Sequence, residues 1–355
     1  PRRAHHRHQY GCRLPFRYSR NIYLKFSRVI RELLHYVSVL AVLKCWCRKP
    51  ADLSDEIILI TGASRGIGRL LTLSLSKYCR SIIVVDVDAK GLEETASLVL
   101  QENNVQVKCY HCDLANLDEI KKFAKDVRRN YGRVTMLINN AGIVNGNFII
   151  DIQNSSVERL IRVNLLAPLY LVKEFLPGML GNAYEECVNK VPKLLRPPSA
   201  DDIGNKRVDD PPKGHFVFLS SVASQSVVAS LADYCASKAG LSAVADTLRV
   251  ELDIMGALKY ISVTDIRPFV INTGLFEGFK CRLSWLFPIL RPEDTVQRIV
   301  EAIRHREGVV YIPWWMWFIP LIHRVLPYPV LRLFFIISGN FHAMDNFNRA
   351  NMNQD

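Results

Sequence analysis

The chain has 355 residues, and its 49% hydrophobic content is enough for one large packed α/β domain. The net charge of +12 is concentrated at one end, because residues 1–50 hold twelve Lys or Arg and one acid, giving +11 and leaving +1 for residues 51–355. The nine cysteines show no framework spacing, which excludes a disulfide-stapled secreted module and favours a reducing compartment.

Residues 1–50 are predicted to form a basic leader that attaches to a membrane. They contain no recognisable nucleic-acid-binding module, so we expect an anionic membrane surface as the partner and no nucleic acid. Within the apolar stretch 29–47, the core at 33–43 is shorter than the roughly 20 residues of a spanning helix. A signal anchor or an in-plane interfacial helix fits this stretch better than a span, and an ordinary buried helix is the alternative.

From Glu56 onward, short β-branched runs alternate with longer amphipathic segments. This alternation predicts an α/β fold over residues 51–315, a single Rossmann-type doubly wound parallel sheet with helices on both faces and no separate substrate domain. The predicted strands are IILI (57–60), SIIVVD (81–86), VQVKCY (105–110), VTMLIN (134–139), HFVFLS (215–220), YISVTDI (260–266) and VVYI (309–312).

One connection in this pattern is unusually long. Residues 181–213 are rich in Pro, Asp and Lys and lead from a helix ending near Leu180 to the strand at 215–220. Helix-to-strand connections lie at the amino-terminal edge of a parallel sheet, whereas ligands bind beyond the carboxyl edge. We therefore expect this insertion to lie away from the catalytic cleft.

The segment after the first predicted strand carries the glycine spacing of a dinucleotide-binding turn. It reads TGASRGIG (61–68) and leads into an amphipathic helix, whose first N–H groups suit a pyrophosphate. Asp86 ends the second strand, where a carboxylate can bind ribose hydroxyls and repel a 2′-phosphate. NAD is therefore the expected cofactor, and NADP is the alternative because Arg65 could contact that phosphate.

Tyr234 and Lys238 are four residues apart and share one face of a predicted helix. An adjacent ammonium stabilises a phenolate, so this pair is expected to bring the phenol, with a normal pKa of about 10, toward its working range. Ser221 ends the preceding strand and could meet the same substrate oxygen. The lone pair Cys109 and Cys112 has no second pair, so no metal site is predicted.

Together these motifs resemble the short-chain dehydrogenase/reductase family over residues 55–315. NNAG at 139–142 matches a family motif, and Asn164 in RVNLLAP matches the fourth member of a catalytic tetrad with Ser221, Tyr234 and Lys238. The resemblance implies contacts to the cofactor from Gly62, Ser64, Arg65, Gly66, Ile67, Gly68, Asp86, Asp113, Leu114, Asn140, Ala141, Gly142, Tyr234, Lys238, Pro268 and Thr273. Phe269 departs from the glycine that usually follows this proline.

The resemblance also implies a role for each member of the tetrad. Tyr234 gives or takes the hydroxyl proton, Ser221 holds the substrate oxygen, and Lys238 lowers the tyrosine pKa while binding the nicotinamide ribose. Asn164 holds a water of the proton relay. Hydride then passes directly between substrate carbon and nicotinamide, and no metal is required.

Residues 316–355 are predicted to form an aromatic, apolar tail that associates with a membrane. Its tryptophans and Tyr328 lie beside Arg324 and Arg332, as at a membrane interface, and its prolines preclude one straight spanning helix. Subunit contact or core packing is the alternative. A membrane-seated enzyme with an apolar entrance, which LSWLFPIL (283–290) also suggests, is expected to take a small lipophilic alcohol, ketone or aldehyde.

HAMDNF (342–347), LEET (92–95) and the leader resemble the membrane-associated retinol and 17β-hydroxysteroid dehydrogenase branch of the family. The branch implies retinol or retinal first and a steroid second, at the endoplasmic reticulum or on lipid droplets, with the catalytic domain facing the cytosol. A homodimer through the helices of Asn164 and Tyr234 is expected by analogy. A soluble reductase of acyl-carrier-protein thioesters or sugars, and an NAD-binding scaffold without turnover, are the competing hypotheses.

Overall fold

A computed structural model of the chain describes residues 49–79, 81–192, 210–345 and 347. The predicted leader helix and the middle of the predicted insertion, residues 193–209, lie outside this part. The fold below belongs to the unit of residues 50–355.

Seven parallel strands form one sheet in the order β3-β2-β1-β4-β5-β6-β7. They are β1 (Ile57–Thr61), β2 (Ser81–Asp86), β3 (Val107–His111), β4 (Met136–Asn139), β5 (Gly214–Leu219), β6 (Ile261–Pro268) and β7 (Val309–Ile312). All seven predicted strands are therefore confirmed. The strand order reverses between β1 and β4, and in doubly wound sheets ligands bind at this point.

The fourth strand was predicted over residues 134–139, but β4 begins two residues later, at Met136. Thr135 lies outside the strand because its hydroxyl, instead of a main-chain carbonyl, accepts a hydrogen bond from the N–H of Ile57 at 2.8 Å. A side chain that competes for a main-chain partner in this way ends regular pairing.

Helices cover both faces of the sheet, as predicted. They are α1 (Gly66–Leu75), α2 (Ala89–Asn103), α3 (Leu117–Tyr131), α4 (Asn154–Ile161), α5 (Ala167–Leu180), α6 (Tyr184–Asn189), α7 (Ala232–Ile254), α8 (Pro292–Arg304), α9 (Ile319–Val325) and α10 (Tyr328–Ser338). Helices α1, α2 and α8 share one buried cluster with β1 and β2. Helices α3, α5 and α7 pack in another cluster against the opposite face.

Helices α4 and α5 are joined by a π-helical turn, Arg162–Leu166. Within the described residues, the run Asn154–Asn189 alone is long and apolar enough to cross a membrane by length and composition, and half of its most apolar window is buried in the protein. The side chains of Leu171, Phe175 and Met179 lie in the sheet-facing core, so packing accounts for the apolar character of this run.

The described ends of the insertion lie at the amino-terminal edge of the sheet. The N–H of Asn182 donates to the carbonyl of Asp210 at 3.1 Å. Lys213 lies 3.2 Å from the buried carboxylate of Glu56, the residue before β1. These residues are at the opposite edge from the strand ends that carry the predicted site.

The C-terminal region divides into a packed side and an exposed side. Met316, Ile319, Leu331 and Phe335 are buried. The exposed apolar side chains of this region include most of the aromatic residues predicted to meet a membrane, and they are Trp314, Trp317, Leu321, Val325, Tyr328, Val330, Leu333, Ile336 and Ile337. Core packing and an exposed apolar face therefore occur in the same segment.

Candidate active site

A cleft of about 990 Å³ opens at the carboxyl edge of the sheet. Every residue predicted to contact the cofactor lines it, and so do Ser221, Tyr234 and Lys238. Asn164 does not line the cleft, because its side chain is fully buried behind it.

The glycine turn after β1 has the shape that a dinucleotide requires. Gly62 and Gly66 have φ angles of +68° and +56°, which L side chains rarely adopt. A Cβ on Gly68 would lie 2.0 Å from the carbonyl oxygen of Gly62, so α1 approaches the turn too closely for any side chain. No side chain caps the start of α1, and its first turn contains no acid, so its N–H groups face the cleft as a site for an anion.

Side chains from neighbouring strand ends hold this turn in place. The amide nitrogen of Asn140 donates to the carbonyls of Thr61 and Gly62, both at 2.9 Å. The Asp86 carboxylate accepts hydrogen bonds from the N–H groups of Ser64 at 3.0 Å and Asp88 at 3.2 Å. Asp86 is thus held at the rim of the cleft, where the sequence placed a partner for the adenosine ribose.

Two supports of the turn were missed by sequence analysis. The Arg69 guanidinium binds the carbonyl of Ser64, and also that of Gly91 at 3.2 Å. The Thr95 hydroxyl donates to the carbonyl of Ala63 at 3.0 Å. Thr95 belongs to the LEET motif, which in the sequence was only a resemblance to the retinol and steroid dehydrogenase branch. Through this hydrogen bond the motif also supports the glycine turn.

Asp113 lies at the far end of the cleft, after β3. Its carboxylate accepts from the N–H of Ala115 at 2.9 Å and pairs with Arg159 at 3.0 Å. Its own N–H donates to Glu119 at 2.9 Å. These contacts hold the loop that carries Leu114 where the resemblance places the adenine.

Tyr234 and Lys238 meet on the first turns of α7, as predicted. The Lys238 ammonium lies 5.7 Å from the centroid of the Tyr234 ring and donates to the carbonyl of Leu219 at 2.8 Å. Phe276 packs edge-on against the tyrosine ring, with centroids 5.5 Å apart. Ser221, after β5, accepts from the N–H of Ala223 at 3.0 Å.

Burial dominates the acid–base properties of this pair. It raises the pKa of Tyr234, and a side-chain hydrogen bond with Ser221 opposes the rise. Burial also lowers the pKa of Lys238 to about 8, and the nearby Asp265 carboxylate works against this shift. The pKa of Tyr234 is therefore raised by burial, where the sequence predicted that Lys238 would lower it, and the phenol is protonated at neutral pH, the state that donates a proton to a carbonyl.

Asn164 connects the NNAG loop to α7. Its amide oxygen accepts from the N–H of Ile143 at 2.8 Å, and its amide nitrogen donates to the Ile143 carbonyl at 2.9 Å and to Ser237 at 3.1 Å. A Cβ on Gly142 would lie 3.3 Å from the Lys238 ammonium and 3.5 Å from this amide oxygen. The side chain of Asn164 thus positions the loop next to Lys238.

A buried charged network beneath Ser221 was also missed. The Ser220 hydroxyl donates to Asp265, whose other oxygen accepts from Arg267 at 2.7 Å. Arg267 in turn donates to the hydroxyl of Tyr311 at 2.7 Å. An Asp and an Arg two residues apart in an apolar strand share one face, and this spacing was the available signal.

The other side of the cleft is apolar, and Phe276 and Phe279 line it next to Tyr234. Tyr234, Phe279, Met344 and Phe347 belong to one buried cluster. A Cβ on Gly146, whose φ is +69°, would lie 2.4 Å from the Phe347 ring. Met344 and Phe347 of the HAMDNF motif, which the sequence offered only as a branch resemblance, therefore pack in the same cluster as Tyr234, behind the residues that line the cleft.

The fold and this cleft define a dinucleotide-dependent oxidoreductase with a tyrosine and lysine at its reactive end. The sequence model of the short chain dehydrogenase family matches residues 56–189 and 205–281. The chain belongs to this family, and it is an NAD(P)-dependent oxidoreductase that acts on CH–OH groups.

The chain is similar to two characterised branches. It is 34% identical to epidermal retinol dehydrogenase 2 of Homo sapiens, over 83% of this chain and 86% of that protein. It is 29% identical to estradiol 17-beta-dehydrogenase 11 of Homo sapiens, over 79% of this chain and 82% of that protein. These similarities confirm the predicted retinol and steroid dehydrogenase branch.

Solved structures share the fold. A short-chain dehydrogenase from Sphingobium yanoikuyae in complex with NADPH has a TM-score of 0.57 and 22% identity, and the match covers 73% of this chain and 88% of that one.

Proposed function

We propose that this enzyme interconverts a lipophilic alcohol and its carbonyl compound at a membrane surface, with retinol and retinal as the leading substrate pair. The observation that carries the proposal is the apolar wall that faces the catalytic pair. Phe276 contacts Tyr234, and Phe279, Met344 and Phe347 share its buried cluster. A polar substrate would lose its hydration at this wall with little compensation, whereas a hydrocarbon gains by burial.

Protein groups hold the substrate oxygen and move its proton. In reduction the Tyr234 hydroxyl donates its proton to that oxygen, and in oxidation it accepts one. The Ser221 hydroxyl hydrogen-bonds the same oxygen. When bound, the nicotinamide ring accepts or supplies the hydride. Asn164 positions the NNAG loop, and its place in a π-helical turn supports the predicted relay water at this point.

We assign NAD as the preferred cofactor, with NADP as the alternative. The glycine turn and the uncapped start of α1 accommodate a pyrophosphate. The Asp86 carboxylate lies where it can bind ribose hydroxyls and repel a 2′-phosphate. Lys238 would bind the nicotinamide ribose, Pro268 and Thr273 the carboxamide, and Asp113 the adenine. Arg65 at the turn is the residue that favours NADP.

The exposed apolar face of the C-terminal region supports membrane attachment. Trp285 and Trp314 are 77% and 72% exposed. Soluble monomers rarely expose large apolar patches, and such patches mark sites that bind a protein or a membrane. The Trp315 ring N–H donates to the carbonyl of Leu286 at 3.1 Å, so the 283–290 segment and the tail form one surface. Arg324 and Arg332 on the tail suit anionic headgroups. The endoplasmic reticulum or a lipid droplet is the proposed location.

A homodimer through α4, α5 and α7 is part of the proposal. Val250 and Ile254 on α7 are both 60% exposed, and a second copy of this helix would cover them. Cross-linking of the full-length protein in detergent should give dimers, and a purely monomeric protein would contradict this arrangement.

A 17β-hydroxysteroid is the second candidate substrate, favoured by the similarity of the chain to estradiol 17-beta-dehydrogenase 11 of Homo sapiens. A scaffold that binds the cofactor without turnover is the competing class.

Membranes containing the full chain should be screened with retinol, a 17β-hydroxysteroid, a fatty alcohol, a sugar and an acyl thioester. Formation or loss of reduced cofactor is followed by absorbance.

Tyr234→Phe tests the assignment of the reaction. Removal of the proton donor should lower turnover by about 10³-fold, within the usual range for acid–base groups, while cofactor binding is retained. Tyr184→Phe, on α6 at the opposite edge, is the matched control and should keep full activity. Turnover by Tyr234→Phe, or reaction with only the sugar or the thioester, would overturn the proposal.

A further inference from the structure

Strand β6 carries two charged residues that point toward helix α7. Ile261 and Val263 pack in the buried cluster that contains α7. Successive side chains of a strand alternate between its two faces, so Asp265 and Arg267 point to the same side as these two residues. Both charged side chains are buried. Because a buried charge is costly to desolvate, a pair of them beneath the helix of Tyr234 and Lys238 needs a physical explanation.

The ammonium of Lys238 reaches the same place from α7. It donates to the carbonyl of Leu219 at 2.8 Å. The hydroxyl of the next residue, Ser220, donates to the carboxylate of Asp265. Two adjacent residues at the end of β5 therefore bind the ammonium and the carboxylate. Lys238, Ser220 and Asp265 are all buried, so little water screens the attraction between the two charges.

The ammonium is the less stable form of a buried lysine. Burial lowers the pKa of Lys238 to about 8, and the negative charge of Asp265 opposes this lowering. A charged donor forms a stronger hydrogen bond than a neutral one, so a ribose hydroxyl is bound better by the ammonium than by the amine. The protonation of Lys238 therefore bears directly on how tightly the cofactor is held.

Few other charges act on Lys238 from the elements packed around it. The NNAG loop contains no ionisable residue, although a Cβ on its Gly142 would lie 3.3 Å from the ammonium. On α7, Tyr234 is a phenol whose pKa is raised by burial, and it carries no charge at neutral pH. Asp233 is held by an asparagine amide at 2.6 Å. Asp246, about two turns beyond Lys238, is 54% exposed, so water screens its charge.

The Arg267 guanidinium fixes the position of the Asp265 carboxylate. Its Nε donates to this carboxylate at 2.7 Å. Its other nitrogen atoms donate to the hydroxyl of Tyr311 at 2.7 Å and lie 3.7 Å from the carboxylate of Asp246. The arginine is thus held by β6, β7 and α7 together, and the buried carboxylate has little freedom to move.

We propose that Asp265 is a positioning residue for cofactor binding, whose negative charge keeps Lys238 in the ammonium form that binds the nicotinamide ribose. Ser220 and Arg267 hold this carboxylate in place, and the positive charge of Arg267 limits its effect. The charge pair on β6 thereby sets the pH above which cofactor affinity falls. This inference rests on the proposed role of Lys238 and goes beyond it, because it assigns control of that lysine to a strand outside the catalytic tetrad.

Asp265→Asn removes the charge but keeps a side-chain oxygen that can accept from Ser220. The dissociation constant of NADH is measured by fluorescence with the full chain in detergent, between about pH 5.5 and 9.5. Wild-type affinity should fall as the pH rises through about 8, where Lys238 loses its proton. In Asp265→Asn the midpoint of this fall should move to lower pH by about one unit. An unmoved midpoint would overturn the inference.

Arg267→Gln should produce the opposite shift. Glutamine can still donate to Asp265, but the loss of a positive charge leaves the carboxylate with a stronger hold on the ammonium, so the midpoint should move to higher pH. Damage to the fold would weaken NADH binding at every pH and would not move the midpoints in opposite directions. Arg267→Gln also tests the inference on its own if Asp265→Asn does not fold, and a shift to lower pH would contradict it.

Lys238→Gln shows whether the lysine carries the shift. In this background the fall in affinity near pH 8 should be absent, and the addition of Asp265→Asn should leave the pH dependence unchanged. A shift that persists without Lys238 would assign the effect of Asp265 to another group and reject the inference. Ser220→Ala removes a hydrogen bond to Asp265 but no charge, so as the matched control it should keep the wild-type midpoint.

No substrate is present in these titrations, which separates them from the test of the proposed function. Midpoints that move as expected support the role of Asp265 even where no alcohol is oxidised, a result that would reject only the proposed reaction. Midpoints that stay fixed in both β6 variants reject the inference even where retinol or a steroid reacts. A wild-type affinity that does not fall with pH rejects it together with the proposed role of Lys238.

Discussion

The two halves of the cleft are built by different means. The cofactor half comes from residues 61–142, a run of consecutive βα units, and is held by hydrogen bonds to main-chain groups such as those of Asn140 and Asp86. The substrate half comes from distant segments whose side chains meet, with Phe347 against Gly146 and Phe279 in the same cluster. One half depends on local backbone geometry, whereas the other depends on packing.

This difference teaches where tolerance to change should lie. At Gly62 and Gly68 in the cofactor half, an added methyl group meets main-chain atoms at less than 3.0 Å. In the substrate half a change of shape meets flexible or terminal side chains, so its main effect is on which substrate binds. Variants in the two halves should therefore separate cofactor affinity from substrate affinity.

Among the variants that compare the two halves, the largest effect is expected from Gly68→Ala. The new Cβ would lie 2.0 Å from the Gly62 carbonyl oxygen, so the turn must open and lose its fit to the pyrophosphate. We expect cofactor affinity to fall about a hundredfold, or roughly 2.7 kcal/mol, in a fluorescence titration with reduced cofactor. Gly308→Ala, whose Cβ would have no neighbour nearer than 4.0 Å, is the control. Unchanged affinity in Gly68→Ala would place the cofactor elsewhere.

Asp86→Ser should change the choice of cofactor. Serine retains an acceptor for the Ser64 N–H but removes the charge that repels a 2′-phosphate, so the ratio of kcat/KM for NADP to that for NAD should rise about tenfold, or 1.4 kcal/mol. Steady-state kinetics with both cofactors measure this ratio. Asp253→Asn, an exposed acid at the end of α7, controls for net charge. A ratio that Asp86→Ser leaves unchanged would contradict the role given to this carboxylate.

Gly146→Ala should affect the substrate alone. Its Cβ would displace the Phe347 ring, and we expect KM for a lipophilic substrate to rise several-fold, about 1 kcal/mol, while the dissociation constant of the cofactor stays the same. The double variant with Phe347→Ala should show less than the sum of the two single effects, because both act on one contact. Additive effects would mean that this contact does not shape the cleft.

The smallest effect is a pH dependence from Lys238. Its pKa is lowered to about 8, so raising the pH through 8 removes the ammonium that we propose binds the ribose. We expect kcat/KM for the cofactor, which reports on the free enzyme, to fall to about half at pH 8 relative to its value at pH 6.5. A profile that stays flat to pH 9.5 would show that the ammonium is retained.

Much of the fold could be predicted because its signals are local. Each strand is a short β-branched run, each helix is amphipathic, and the glycines of the turn follow directly after β1. Asp86 and Asp113 were found for the same reason, since each follows or ends a recognisable strand. The family tetrad placed Tyr234, Lys238 and Ser221 correctly along the cleft.

Other features had a weak local signal or none. Arg69 supports the turn through a carbonyl that it approaches only when α1 is folded. In the sequence, Asp265 and Arg267 are polar residues in an otherwise apolar strand. Their hydrogen bonds to Ser220 and Tyr311, which explain them, join residues that are far apart in the chain. The pKa of Tyr234 was expected to be governed by Lys238, but the burial that governs it depends on side chains from remote segments.

The sequence alone determined the class of sheet and the glycine turn, and it located the residues that we propose transfer the proton, because these features are set by spacing along one strand or one helix. Only the tertiary structure decided that Phe347 packs close to Gly146 in the cluster of Tyr234, and that Asn164 lies behind the cleft. Such contacts join residues far apart in the chain, and their geometry depends on how the whole core packs.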